Sequence, residues 1–443
     1  MDYATKKTQL MEEMRRSVGG VRLQKETSNL FRNRSSGAQA HLNVRHFNAV
    51  IAVNPKEGFA EVEGMTTYQT FVDETLKYGC LPAVVPELKS ITVGGAVSGT
   101  GLESSSFHFG FVHETVTEMD ILLADGRVVT CTPSNEYSDL FFGIPNSYGT
   151  FGYILRLKVK VIPAKRYVRI THKTFSDVHE YLNAMQTACD KKESDFVEGV
   201  VFSEKKFVLS TGQFVNEAPF ASDYTYMKIY YRSLLARTED YLTAKDYIWR
   251  WDTDWFWCSS LMYAQNPFVR FFLGRDRLNS IFYTKLMRWN RKWKIAGYIQ
   301  MIFTGNTEAV IQDIEIPIGN VPAFLDFFHS TVGMRPLING PVIGSPSGEA
   351  RFPLFPLDPK SLYVNVGFWG VVKTTHEGGY FNKLIEKKAI ALDGMKMLYS
   401  DSFYSEEEFW KIYKNKAIYE ELKKKYDPNG KFKTLYQKCV LRV

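Results

Sequence analysis

A chain of 443 residues is about three times the usual domain length, so two or three domains that each bury a core are expected. With 45% hydrophobic and 23% charged residues it falls outside the disordered class, and no uninterrupted apolar run reaches the roughly 18 residues of a membrane span. The formal charge of +7 is too small to dictate nucleic-acid binding, and no zinc-finger or single-strand-binding spacing accompanies it, so nucleic acid is set aside as a partner.

Five cysteines (Cys80, Cys131, Cys189, Cys258, Cys439) are widely spaced with no Cys-x-x-Cys, which points to a reducing cytoplasm, and no metal ligands are assigned. The N-terminal residues lack the apolar core of a signal peptide, so the expectation is a soluble protein, at most peripherally membrane-associated. The 15% aromatic share fits a planar cofactor or an apolar substrate, and equally a core built from Phe and Tyr.

In sequence order, Leu10, Met11 and Met14 among charges predict a helix over 8–16. Residues 25–34 are polar and turn-rich, 42–53 read as strands, 59–64 alternate as a half-buried strand, and 67–78 form a helix stopped by Gly79. Residues 91–110 then pack five glycines and a run of hydroxyl side chains between strand-like segments. Their backbone N–H groups are expected to face a ligand rather than a helix ladder, which suits a phosphate-bearing cofactor. No Gly-x-Gly-x-x-Gly opens a helix and no Gly-Lys-Ser/Thr follows, which excludes a Rossmann site and a P-loop.

Strands at 115–123 and 127–132 flank Asp125-Gly126 as a hairpin, and a short helix at 139–142 has Asn135 and Ser138 as caps. Residues 153–162 alternate apolar and basic up to Pro163. A second sheet domain begins near Lys165, with strands at 167–174 and 197–207 around a helix at 176–190. The interval of about 247–294 holds six of the eight tryptophans (Trp249, Trp251, Trp255, Trp257, Trp289, Trp293) and the cations Arg275, Arg277, Lys285, Arg288, Arg291 and Lys292. It reads either as an interfacial membrane segment or as an insertion packed on its own domain. A strand at 308–317, a helix at 321–332, a strand at 362–368 and a helix at 379–392 follow, then the segment 395–404 and a basic helical region.

Val93-Gly94-Gly95-Ala96, Ala124-Asp125-Gly126, Gly149-Thr150-Phe151-Gly152 and the strand ending at Pro163 occur in the order seen in the vanillyl-alcohol-oxidase (PCMH-type) FAD-binding family, which the protein resembles. More narrowly, Ser28-Asn29-Leu30-Phe31-Arg32, Glu61-Val62-Glu63-Gly64-Met65-Thr66-Thr67-Tyr68, Gly99-Thr100-Gly101-Leu102-Glu103-Ser104-Ser105-Ser106 and Met397-Leu398-Tyr399-Ser400-Asp401 resemble the delta(24)-sterol reductase, or Diminuto/seladin, branch. The resemblance implies an α+β fold. A two-subdomain FAD-binding domain spans 1–164, an α/β substrate or cap domain with an antiparallel sheet spans 165–394, and a C-terminal segment, 395–443, returns to the flavin.

By the same resemblance Thr92, Val93, Gly94, Gly95, Ala96, Gly99, Thr100, Gly101, Glu103, Ser104, Ser105 and Ser106 hold the pyrophosphate and the ribityl group. Gly149, Gly152 and Ile154 lie on the adenine side. Ser28 and Asn29 occupy the first pyrophosphate loop, although this sequence lacks that loop's usual glycines. His108, Gly110 and His113 flank the cofactor loop. His108 matches no attachment position, so FAD is expected to be non-covalent.

The implied reaction is reduction of a carbon–carbon double bond in the side chain of a sterol or isoprenoid-like lipid, with electrons from NADPH through N5 of the flavin. The protein then has to supply a proton donor and an apolar tunnel. Polar candidates on the returning segment are Tyr399, Asp401, Lys396 and Tyr404; on an extended strand Tyr399 and Asp401 share a face. Asp313 and Glu315 share a strand face as well and read as a pocket acid or as a solvated face. A flavin oxidase or dehydrogenase of an alcohol, and a lipid-binding flavoprotein without this activity, are the alternatives. The oligomeric state stays open.

Overall fold

The computed structural model describes residues 1–28, 31, 40–293 and 307–442, and the side chains of Leu261 and of 287–293 lie outside the described set. The strands are β1 (Val21–Gln24), β2 (Ala40–Asn43), β3 (Val50–Asn54), β4 (Phe59–Glu63), β5 (Cys80–Pro82), β6 (Val116–Leu122), β7 (Val128–Cys131) and β8 (Tyr153–Pro163). They continue as β9 (Tyr167–Phe175), β10 (Phe196–Ser203), β11 (Lys206–Val215), β12 (Glu239–Thr243), β13 (Thr307–Pro317), β14 (Leu337–Ile343), β15 (Leu362–Lys373) and β16 (Met395–Lys396). The fold is α+β, and every pairing in its two larger sheets is antiparallel.

The first sheet runs β3-β4-β8-β6-β7, with β5 also on β8. Alternation along β8 decides its placement: Leu155, Leu157, Val159 and Val161 are buried, while Arg156, Lys158 and Lys160 point to the wetter face. Arg156 there meets Glu61 at 3.0 Å on β4 and Asp120 at 3.0 Å on β6, so the charge pattern fixes the neighbours as the apolar pattern fixes the face. The opening helix, Tyr3–Arg16, starts five residues earlier than the apolar stripe predicts. Its buried row is Lys6, Leu10 and Met14, and Lys6 is accommodated by Glu63 at 2.8 Å.

The second sheet runs β12-β9-β11-β10-β14-β15-β13-β16. On β15 Val364, Val366 and Phe368 pack with helices Val178–Lys191, Val321–Thr331 and Tyr380–Ala391, which leaves Asn365, Gly367 and Trp369 on the opposite face. The apolar stretch read as one strand over 197–207 is instead the β10–β11 hairpin, because Glu204 and Lys205 break it into a turn. Within 247–294, Trp249, Trp251, Trp255 and Trp257 are buried in the core cluster that joins the two sheets, so these four rings pack on the protein. The side chains of Trp289 and Trp293 lie outside the described residues. Among the described residues no helix is long and apolar enough to cross a membrane.

The C-terminal helices Glu406–Ile412 and Lys416–Tyr426 return to the first sheet's side of the molecule. Tyr426 donates to Asp139 at 2.6 Å, and Lys438 donates to the Gly149 carbonyl at 2.8 Å, so the C-terminal end braces the Gly149 turn. The helix over Glu406–Ile412 is capped by Ser405 in a reciprocal box with Glu408.

Candidate functional site

A cavity of about 490 Å³, within the range of small-molecule sites, is lined by both sheets and by the aromatic segment between them. Its first wall is backbone. Thr92 caps the short helix Val93–Ser98 through Gly95 N–H at 3.3 Å, and Gly94, Gly95, Ala96, Ser98, Gly99 and Gly101 present main-chain atoms to the cavity. The expectation of free N–H groups is corrected here: Val93 donates to Thr66 O and Gly94 to Gly64 O, both at 2.9 Å, and Ala96 and Gly99 join the helix ladder. The glycines serve close approach instead. A Cβ on Gly94 would stand 2.8 Å from Gly64 O, and one on Gly99 would stand 3.0 Å from Gly95 O.

The second wall is the face of the second sheet opposite its packed helices. Asp313 on β13, Ile338 and Gly340 on β14, and Asn365 and Trp369 on β15 all line the cavity. Trp369 donates through Nε1 to Tyr399 Oη at 3.1 Å, and Phe256 stacks on the Trp369 ring at 4.2 Å. Gly367 lies across from Asp313, where a Cβ would meet the carboxylate at 2.5 Å. Burial pushes Asp313 up to about 7, opposed in part by hydrogen bonds from Tyr399 and Asn365, and the part of its surface that stays accessible belongs to the cavity. Burial, reinforced by Asp313, holds the Tyr399 hydroxyl well above its ordinary value.

Charged groups complete the lining. Arg22, Lys25, Lys433 and Lys438 supply cations beside Gly149, Gly152 and Tyr153. Elsewhere Glu87, Glu103 and Glu198 surround the buried Arg250, at 3.1, 2.9 and 2.6 Å. Burial works against the charge of Glu103, but Arg250 overcomes it and keeps this carboxyl low. Burial and the neighbouring Glu103 push Glu87 well above the usual carboxylate range.

Of the residues expected at a cofactor, the structure brings Ser28, Thr92, Gly94, Gly95, Ala96, Gly99, Gly101, Glu103, Ser104, Gly149, Gly152 and Ile154 to this one cavity. Asn29 lies outside the described residues. Val93 and Thr100 turn into the protein, and Ser105 and Ser106 bond Ala83 O and Glu103 N to hold the turn. His108 is exposed, and Gly110 packs on Pro346. His113 is fully enclosed between Phe111 and Phe352, where burial drives its imidazole down to about 3.

Of the four polar candidates on the returning segment only Tyr399 lines the cavity. Backbone direction explains it: β16 ends at Lys396, and a turn replaces the extended strand that would have aligned Tyr399 with Asp401. Lys396 is enclosed with Glu386 at 2.7 Å and the Asp401 carbonyl, Asp401 faces Arg442 at 3.4 Å, and Tyr404 is packed in the core. Trp369, Phe256 and the four cations were missed, since no local spacing marks them. Asp313 carried a usable signal in its alternation.

The cavity suits FAD on its own features: a glycine-rich wall, cations for a diphosphate, and flat aromatic and apolar surface for a ring system. Residues 10–132 match the FAD binding domain family. The fold, cavity and match define an FAD-dependent oxidoreductase. Over nearly its whole length the protein is similar to delta(24)-sterol reductases. The Homo sapiens protein is 28% identical over 406 residues, covering 88% of this chain and 75% of the relative. The Arabidopsis thaliana protein is 25% identical over 430 residues with the same coverage. Cytokinin dehydrogenase 1 of Arabidopsis thaliana is 30% identical over 156 residues, 35% of this chain and 27% of that protein.

Proposed function

We propose that the protein reduces an isolated carbon–carbon double bond in the side chain of a sterol or isoprenoid-like lipid, using NADPH as the electron source. The observation that carries the reading is the Asp313–Tyr399–Trp369 array on a cavity wall it shares with Phe256, Ile338 and Met397. Alkene reduction adds a hydride to one carbon and a proton to the other. FAD, when bound, supplies the hydride chemistry.

The protein's own residues handle the proton. Trp369 N–H occupies one lone pair of Tyr399 Oη and orients the hydroxyl. Asp313, once protonated, turns its own O–H to Tyr399 Oη, which frees the Tyr399 proton for the substrate carbon, and Asp313 then replaces the proton given up. Phe256, Trp369, Ile338 and Met397 exclude water and hold an apolar substrate against the cofactor face. Thr92, Gly94, Gly95, Gly99 and Gly101 would hold the cofactor's linker, with Arg22, Lys25 and Lys438 near its diphosphate. No His or Cys is among the described lining residues, which supports non-covalent FAD. The reading includes a cytoplasmic setting with peripheral membrane contact within 247–294, supported by five cysteines held as thiols.

Anaerobic titration tests it. NADPH is expected to bleach the flavin, and an apolar side-chain alkene to restore the colour with one equivalent of saturated product. Failure of NADPH to bleach removes the donor from the proposal. Reduction of the flavin by an alcohol, with rapid recovery in oxygen, replaces it with an oxidase. A bound alkene that leaves reduced flavin untouched makes the protein a lipid-binding flavoprotein.

A further inference from the structure

Helix Pro267–Leu273 carries Phe268, Phe271 and Phe272 at positions i, i+3 and i+4, one face of an α-helix. These rings are 78%, 67% and 78% exposed, and Tyr263 just before them is 79% exposed. Single apolar side chains at a surface are ordinary, whereas a contiguous aromatic face marks an interaction site. The helix cannot turn this face inward. Its Arg270 is buried on the other side, donating to Asp254 at 2.6 Å and to the Tyr226 carbonyl at 2.7 Å.

The surroundings select the partner. Lys228, Arg275, Arg277 and Lys285 are exposed on the same segment or the loop beside it, and Arg275 is tied to Asp223 at 2.9 Å. Over residues 263–293 the sequence holds seven Lys or Arg (Arg270, Arg275, Arg277, Lys285, Arg288, Arg291, Lys292) and one acid, Asp276. Exposed phenyl rings beside the exposed cations Lys228, Arg277 and Lys285 complement an anionic lipid surface, with rings at the headgroup boundary and cations over phosphates. We propose that the Phe268/Phe271/Phe272 face docks the protein peripherally on an anionic phospholipid bilayer.

The docking face adjoins the cavity: Gln265, immediately before the helix, bonds the Trp257 carbonyl at 3.3 Å, and Phe256 next to it lines the cavity. Docking would bring a lipid-resident substrate to the aromatic wall, a link that rests on the function proposed above; the docking itself does not.

The test floats the full-length protein with vesicles containing phosphatidylserine and with phosphatidylcholine vesicles, at low and high salt. Wild type is expected to float with the anionic vesicles, less so at high salt. Phe268→Ser/Phe271→Ser/Phe272→Ser is expected to lose about tenfold in binding, and Arg277→Glu/Lys285→Glu to lose the preference for anionic lipid, both with unchanged circular dichroism and melting temperature. Wild type that does not float, or a triple variant that floats equally, overturns the proposal. So does a wild-type dimer, measured by light scattering, that the triple substitution converts to monomer without any vesicle binding. Turnover of detergent-dispersed alkene by the triple variant is expected to match wild type; its failure in both proteins, with flotation intact, counts against the reaction and leaves the docking face standing.

Discussion

Lys396 and Tyr399 stand three residues apart where β16 gives way to a turn, both polar and both enclosed, yet their surroundings differ in one respect. Lys396 spends its bonds on Glu386 and the Asp401 carbonyl and has no surface on the cavity. Burial lowers its ammonium, and Glu386 restores part of the loss. Tyr399 is held by Trp369 and Asp313 and faces the cavity. Full pairing away from a cavity makes structure; perturbed groups left with an open side make chemistry. The neighbouring pair separates stability from reactivity within one short segment.

Substitutions can break that distinction. The largest effect is expected from Tyr399→Phe and Asp313→Asn, each slowing flavin reoxidation by an alkene about 10²–10⁴-fold with the folded circular-dichroism spectrum retained; comparable rates would dissolve the contrast. Lys396→Met leaves Glu386 buried without its partner, so urea unfolding should show a loss of about 3–5 kcal/mol, with the rate per folded molecule kept. Lys396→Met with Glu386→Gln should recover much of that stability, because no buried charge is stranded.

Gly94→Ala sharpens the account of the opposite wall. Its Cβ would meet Gly64 O at 2.8 Å, a backbone atom with little freedom to move. A loss of about 1–3 kcal/mol and weaker FAD binding by fluorescence are expected. A pH-dependent effect concerns Asp313 in unfolding. Its native value of about 7 lies above the ordinary 3.8, so the native state keeps a proton that the unfolded state loses between these values. Wild type therefore loses stability as pH rises through this window. The stability of Asp313→Asn relative to wild type should rise from pH 4 to about 7 and then level off, as chemical denaturation at each pH would record.

Much of this was legible in the sequence where periodicity was strict. The alternation of 153–162 announced β8 and its wet face, because period two leaves little choice of side, and 362–368 was read as a strand within what is β15. The same logic placed Asp313 and Glu315 on one face. It could not say that this face meets a cavity, which depends on β13, β14 and β15 lying side by side across long separations. The glycine run lies along the cavity wall, but the N–H groups of Val93 and Gly94 go to Thr66 and Gly64, partners set by tertiary contact. Composition flagged 247–294 as aromatic and basic without distinguishing inward from outward rings. Trp249, Trp251, Trp255 and Trp257 fill the space between the sheets while Phe268, Phe271 and Phe272 stay outside. Extrapolating an extended strand beyond Lys396 grouped Asp401 with Tyr399, and the turn after β16 separates them.

The pH dependence of anaerobic flavin reoxidation by an apolar alkene, in wild type and Asp313→Asn, tests the proton-donating array most directly. Wild type should hold a plateau in acid and decline as pH rises through about 7, where Asp313 loses its proton; Asp313→Asn should be slow and flat over the same range. A wild-type profile without that limb, or an Asp313→Asn profile that keeps it, would contradict the assignment.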